Sequence, residues 1–513
     1  MARLDRAIHA VAVTFQLHQC KFRNYGMDRP IKWGDDGRRG EPAMKRILAC
    51  IVLTFSIVGL SSWANADTLA SYSIVAYDPV NAKTVLLARA VVDGAETACP
   101  NFVVDGTTMA ASRRYNPDAN RFPVAVCEVV AALDATVSID GQPVATMSGH
   151  DGGSLDVAIL GDSGCSPKDQ SCEDGWPFPE LASAAASQNP DLVIHMGDYD
   201  YRGTPSHRAD GDPRVYDGCV PGADASYVSL HDLSTWETWR DDLITPAASL
   251  MSAAPWVVVR GNHELCSRGG DGWFYLLDPH SDLLDPLHGD HHCTAPIVTT
   301  QPYRIAVGEL DMVVLDNSDG CDASTWQDEA AFAWQVREFS PLLTQVADLA
   351  EDGDDPVWLL THRPFWTANV LSGGATFDGS DAWQLTLKNA LDGELPDNVS
   401  LVLSGHVHEA QALSFDSDRP SQIVVGNSGT HLDSNAISLP VAMEVDGQAA
   451  TGWVSALPST TAAFGYLSVE LDDAATWRGD LSSFDADGSV APSLLMTCAM
   501  PIRDGDVCAP PAP

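Results

Sequence analysis

Positive charge is what this chain has least of. Its 513 residues include 29 Lys or Arg against 70 Asp or Glu, a formal net charge of −41. Beyond position 66 only Lys83, Lys168 and Lys388 remain as lysines, and 19 basic residues face 65 acidic ones. A field of that sign repels polyanions, so neither nucleic acid nor an anionic membrane is an expected partner. Solubility in a saline medium accounts for the imbalance without a cationic partner. Long apolar runs are missing too: the stretch Ile47–Leu60 falls short of the roughly 20 residues a spanning helix needs, which argues against a membrane anchor. No Cys-x-x-Cys pair occurs, so a zinc role for the cysteines is not expected. Internal repeats and low-complexity blocks are absent.

What is present begins with an export signal. Lys45 and Arg46, the apolar run Ile47–Leu60 and Ala64-Asn65-Ala66 have the charge, length and small-residue pattern of a secretory signal peptide over 44–66, cut after Ala66. Residues 1–43, which lack clear periodicity, are read as a non-native leader, with translation starting at Met44. The expected location is periplasmic or secreted. Of 12 cysteines, ten lie beyond the signal, and an even number in an exported chain favours disulfides. Sequence proximity pairs Cys99 with Cys127, Cys165 with Cys172 and Cys498 with Cys508. Cys219, Cys266, Cys293 and Cys321 retain three possible connectivities.

Residues 67–153 read as a small all-β domain: Ser71–Tyr77, Thr84–Val92 and Phe122–Val130 are strand-like, and Val137–Val144 turns at Asp140-Gly141 as a hairpin. Gly149–Gly153 reads as a linker. Over 154–435 strands alternate with helices, which predicts an α/β layered β-sheet core flanked by helices. Strands are expected at Leu155–Leu160, Asp191–Met196, Trp256–Arg260, Val357–Leu360 and Leu401–Leu403, a hairpin at Tyr303–Val307 and Met312–Leu315, and helices at Phe178–Ser187, Thr235–Leu250 and Glu329–Ala350. Residues 436–513 are expected to add closing strands at Gly465–Leu471 and around Leu494–Cys498, then a mobile Pro-rich tail.

Each core strand ends on a short polar motif: Asp162-Ser163-Gly164, Gly197-Asp198-Tyr199-Asp200-Tyr201, Gly261-Asn262-His263-Glu264, Thr361-His362 and Gly405-His406-Val407-His408. Ligand sites of open α/β sheets lie at the carboxyl ends of strands. Hard oxygen and imidazole donors at five such ends are what a two-metal hydrolytic site needs. Asp198, directly after its strand and behind Gly197, is the natural bridging carboxylate. Asp162 occupies the same place one strand earlier, Asn262 offers a carbonyl oxygen, and His362, His406 and His408 offer imidazoles. On an extended segment His406 and His408 point to one side and serve two metals. Tyr199 would point away from that side.

The order Asp, Gly-Asp, Gly-Asn-His, His, Gly-His-x-His resembles the calcineurin-like metallophosphoesterase superfamily over Asp156 to about Asp433. Gly164 stands where most of that superfamily has a histidine, and Tyr201 follows Asp198 by three, which is similar to the purple acid phosphatase branch. The resemblance implies one metal held by Asp162, Asp198, Tyr201 and His408, and a second held by Asp198, Asn262, His362 and His406. A phenolate ligand favours trivalent iron, so Fe(III) plus a divalent ion (Fe, Zn or Mn) is expected. By the same resemblance His263 hydrogen-bonds phosphate or protonates the leaving oxygen. Glu264, Arg363 and His431 are candidate pocket residues, with Arg363 a candidate substrate contact beside Asn262 and His263. The stretch with His280, His288, His291 and His292 departs from the pattern and reads as a loop over the site or as surface. The expected activity is hydrolysis of small phosphate monoesters by a metal-activated hydroxide. A phosphodiesterase or nucleotidase is the alternative, and a non-catalytic secreted binding protein the more distant one.

Overall fold

The two faces of the strand Leu155–Leu160 explain the layering. Val157 and Ile159 enter one buried apolar cluster while Ala158 and Leu160 enter another, as the two-residue period of a strand requires. The first cluster also takes Met312, Val314, Trp358, Leu360, Leu401, Leu403, Ile423 and Val425, so it lies between two sheets packed face to face. The second cluster covers the outer face of one sheet with helices Phe178–Ser187 and Ala248–Ala253. A third covers the other sheet with Glu329–Ala350 and Asp381–Leu391. Helices, sheet, sheet, helices is the α/β layering expected from the alternation of elements.

The computed structural model describes residues 67–95, 97–114, 118–150, 152–202, 234–286, 292–293, 299–322, 329–370, 376–378, 381–433, 441–445, 448–454, 464–484, 493–503 and 506–509. All fall in one unit spanning 65–513. The leader, the signal segment 44–66, Cys219, His288 and His291 lie outside the described residues.

Among these, one sheet has eleven strands. From edge to edge they are Asp506–Ala509, Ser493–Arg503, Thr476–Phe484, Phe464–Asp473, Leu155–Leu160, Leu192–His195, Trp256–Val258, Thr68–Asp78, Lys83–Asp93, Val124–Ala131 and Ser112–Arg113. The second has eight: Tyr303–Val307, Leu310–Leu315, Val357–Thr361, Val399–Ser404, Ser421–Val425, Ala410–Phe415, Gln448–Val454 and Val441–Val445. The central strands of both are parallel, so their carboxyl ends gather at one end of the fold.

The N-terminal segment is all-β, but Gly149–Gly153 does not divide two separate sheets. Thr68–Asp78 pairs in parallel with Trp256–Val258 through Ile74 and Trp256, and draws Lys83–Asp93 and Val124–Ala131 into the core sheet. A four-stranded sheet of Thr107–Met109, Phe102–Val104, Val137–Ile139 and Gln142–Val144 stands beside it. Arg89 and Arg114 bind the buried Glu128 at 3.0 Å each and donate to the carbonyls of Leu276 and Phe274, fastening these strands to the turn Trp273–Leu277.

Several elements differ from expectation. Thr235–Leu250 is not one helix: Trp236–Trp239 continues as a π-turn over Arg240–Ile244, and a new helix begins at Ala248, after Pro246, which has no N–H to continue the ladder. Strands Ser421–Val425 and Ala410–Phe415 and the helix Asp381–Leu391 were not foreseen. Cys99–Cys127, Cys165–Cys172 and Cys498–Cys508 are disulfides, as proximity implied, and Cys266 pairs with Cys293. Cys321 is also disulfide-bonded. No described helix is long and apolar enough to cross a membrane.

Candidate metal centre

Three site residues leave their strands in left-handed backbone: Asp162 at φ +55°, Asp198 at +59° and His406 at +73°. Such conformations cost a non-glycine residue about 1–2 kcal/mol each and persist only where the surroundings hold them. Their effect is to turn each side chain sharply from its strand end into one cleft. Glycines make the approach possible. A Cβ on Gly261 would fall 2.2 Å from Asp198 Oδ1, and one on Gly405 would fall 2.6 Å from Asp162 Oδ2.

Asp198 is the hub. Its Oδ2 lies 3.0 Å from the Tyr201 hydroxyl, which is 2.9 Å from His408 Nε2 and 3.4 Å from Asp162 Oδ1. Its Oδ1 lies 3.3 Å from His362 Nε2, which is 2.9 Å from Asn262 Oδ1; that oxygen is 2.8 Å from His406 Nδ1. Two donor sets therefore meet the two oxygens of one buried carboxylate. The ligand atoms of Asp198, His362 and His406 lie within 4.8 Å of one another, as do those of Asp162, Asp198 and His408. A third group, His408, His431 and Asp433, continues from the latter toward the half-exposed mouth.

These donors fit metal ions because they are acceptors facing acceptors. His362 Nδ1 lies 2.7 Å from the Met196 carbonyl, a partner that accepts its proton, so the Nε2 aimed at Asn262 carries a bare lone pair. His406 Nε2 lies 3.0 Å from both Asp322 Oδ2 and Arg363 Nη1, and its Nδ1 lies 2.8 Å from the same Asn262 oxygen. Lone pairs at hydrogen-bond distance with no proton between them call for a cation. Ionisation energetics agree. Burial and the charge of Asp198 hold the Asp162 carboxyl well above its usual range. Burial opposes ionisation of Asp198 too, but neighbouring His362 and His263 pull it well below. Burial, then Asp198 and Asp162, drive the Tyr201 phenol well above 10.

Gly164 and Tyr201 are one spatial unit. A Cβ on Gly164 would lie 2.7 Å from Tyr201 Cδ2 and 2.5 Å from the Tyr199 carbonyl, so the phenol ring occupies the space a larger residue would need. His263 stacks on that ring at 3.7 Å between centroids and donates its backbone N–H to Asp198 Oδ1 at 2.8 Å. Tyr199 does point the other way, donating to the His195 and Val259 carbonyls at 3.1 Å each.

The other candidates take varied places. Residues 405–409 are a bend, not an extended segment, and His406 and His408 reach different donor sets because His406 is left-handed. Arg363 is fully buried beneath His406: its Nη1 is 3.0 Å from His406 Nε2 and 2.6 Å from Asp322, and its Nε donates to the Ser318 carbonyl. Glu264 is buried as well and accepts four backbone N–H groups, from Asp198, Gly261, Tyr199 and Asp200. His431 stands at the mouth, edge-on to His408 at 4.8 Å. His280 bonds Asp278 and packs edge-on to Tyr303, and His292 is exposed. Sequence reasoning missed Asp242, which accepts the N–H groups of Tyr201 and Arg202 at 2.9 Å from the π-turn, and Asn317 and Asp322.

A family model for calcineurin-like phosphoesterases matches residues 155–410. No curated protein matches by sequence. Among solved structures, the purple acid phosphatase PPD1 from yellow lupin (Lupinus luteus) seeds is similar at 14% identity and a TM-score of 0.49, covering 83% of this chain and 74% of that one. GAP50, described as the anchor in the inner membrane complex of Plasmodium, is similar at 15% identity and a TM-score of 0.34, covering 69% of this chain and 90% of that one.

Proposed function

The chain belongs to the calcineurin-like phosphoesterase family, and from that premise we propose that it is an exported dinuclear-metal phosphatase acting on small phosphate monoesters. The observation that carries the reading is the pair of complete donor sets on the two oxygens of Asp198. In it, Asp162, Asp198, Tyr201 and His408 hold one ion, and Asp198, Asn262, His362 and His406 hold the other. When bound, such a pair supplies Lewis acidity to phosphoryl oxygens and lowers the pKa of water.

The chain's own groups do the rest. His263, pinned by its backbone to Asp198 and by its ring to Tyr201, is placed to hydrogen-bond a phosphoryl or leaving oxygen. Loss of hydration holds its imidazole pKa well below 6.5, so near neutrality it acts as an N–H donor, and acid transfer to the leaving group requires the charge of a bound phosphate to raise that pKa. Arg268 donates to the Asn262 carbonyl at 3.2 Å and steadies the loop that presents both residues.

Iron at the first position is proposed from Tyr201. A phenol held protonated by burial and two carboxylates becomes a ligand when a strongly polarising cation displaces its proton, and a trivalent ion does so best. Tyr201→Phe is expected to lose iron and any visible absorption band while leaving thermal stability nearly unchanged, as metal analysis with a visible spectrum measures. An unchanged spectrum would remove Tyr201 from the ligand set. Export is supported by the four described disulfides. Paired monoester and diester substrates, assayed with and without metal, test the monoester preference: faster diester turnover would replace it with a phosphodiesterase.

A further inference from the structure

The segment after strand Leu310–Leu315 contributes no ligand to either donor set, yet it reaches both histidines of the second one. Asn317 Oδ1 accepts the backbone N–H groups of His362 and Arg363 at 3.0 and 2.9 Å, and its Nδ2 donates to the Arg363 carbonyl at 2.8 Å. Asp322 completes the contact: Oδ2 lies 3.0 Å from His406 Nε2 and Oδ1 lies 2.6 Å from Arg363 Nη1. Arg363 follows His362 directly in the chain and is itself tied to the Ser318 carbonyl at 3.1 Å. One carboxylate thus links the ring of one histidine to the residue beside the other. The residues just before it are anchored. Gly320 is pressed against Trp383, where a Cβ would fall 2.2 Å from the ring, and Cys321 is disulfide-bonded.

We propose that Asp322 is a positioning residue for the second metal site, setting how tightly that site holds a divalent ion. Its Oδ2 is placed to accept the Nε2 proton of His406 beside the Arg363 Nη1 that shares that nitrogen, which favours the tautomer whose Nδ1 lone pair faces Asn262, and its negative charge strengthens the imidazole as a donor. Its pairing with Arg363 keeps the carboxylate from turning into the cleft as a competing ligand. Among the described residues the first donor set lacks an equivalent: His408 Nδ1 lies 3.9 Å from Asp433 Oδ1, beyond hydrogen-bond length. Loss of Asp322 therefore depletes one ion selectively. This inference rests on the dinuclear reading given above.

The test uses the full chain and the isosteric Asp322→Asn, with the side chain 37% exposed so that the substitution is accommodated. Metal content after dialysis is measured, and divalent affinity is titrated with zinc against a competing chromogenic chelator. The variant is expected to keep the first ion and its visible band while second-site affinity falls about 10–100-fold, with hydrolysis restored by excess zinc. Asp433→Asn is expected to leave second-site affinity at the wild-type value. Unchanged second-site affinity in Asp322→Asn, or an equal fall in Asp433→Asn, overturns the role of Asp322. A wild-type chain that binds no metal overturns this inference and the dinuclear reading together.

Discussion

Asp198→Ala is expected to abolish phosphate-ester hydrolysis, with kcat/KM falling by more than about a thousandfold, about 4 kcal/mol of lost transition-state stabilisation. The size follows from geometry. Among the described residues Asp198 is the side chain that meets both donor sets, with Oδ2 toward Tyr201 and Oδ1 toward His362. It also accepts the His263 backbone N–H, so its removal loosens the loop carrying the proposed phosphate donor. A peripheral ligand such as His408 belongs to one set and has a smaller expected effect. Steady-state kinetics on purified variant and parent check the prediction. An alanine variant within tenfold of the parent would remove the bridging carboxylate from the account.

Glu264→Ala is expected to cost stability more than any other single change at the site. Its carboxylate accepts N–H groups from Asp198 at 2.9 Å, Gly261 at 3.0 Å, Tyr199 at 2.8 Å and Asp200 at 3.2 Å, and is fully buried. Alanine leaves all four donors without that acceptor in a place where water enters poorly. At about 1–3 kcal/mol for each unsatisfied buried group, less what is regained by not burying a carboxylate, the loss is expected to be about 3 kcal/mol or more. Glu264→Gln keeps one acceptor oxygen and loses less. Denaturant unfolding measures both, and an alanine variant within about 1 kcal/mol of the parent would show that the loop holds its left-handed Asp198 by other means.

The proposed ligands were legible because each follows an apolar strand with a glycine or a small residue at the turn, and parallel strands bring such turns together. Leu155–Leu160, Phe178–Ser187 and Glu329–Ala350 were legible to the residue, since their periodicity and flanking prolines or acids mark both ends. Strands Ala410–Phe415 and Ser421–Val425 were not, because they bury glutamines. Gln422 lies in the core only because its Oε1 accepts the N–H groups of Phe365 and Trp366, and no local pattern announces such partners. Asp322, Asn317 and Asp242 escaped for the same reason. Each acts through hydrogen bonds to residues some 40 positions away, and each reads locally as an ordinary loop or helix acid or amide. The N-terminal segment is all-β as its composition implied, but composition does not reveal which edge its strands will extend, and Ile74 pairs with Trp256.

Metal analysis of the purified full-length protein, combined with its visible spectrum and its hydrolysis of a simple phosphate monoester before and after chelation, tests the central claim most directly. The account predicts two metal ions per chain, one of them iron with a tyrosinate absorption band, and hydrolysis that disappears on chelation and returns when metal is restored. A chain that binds no metal, or hydrolyses the ester equally well without it, would contradict the account.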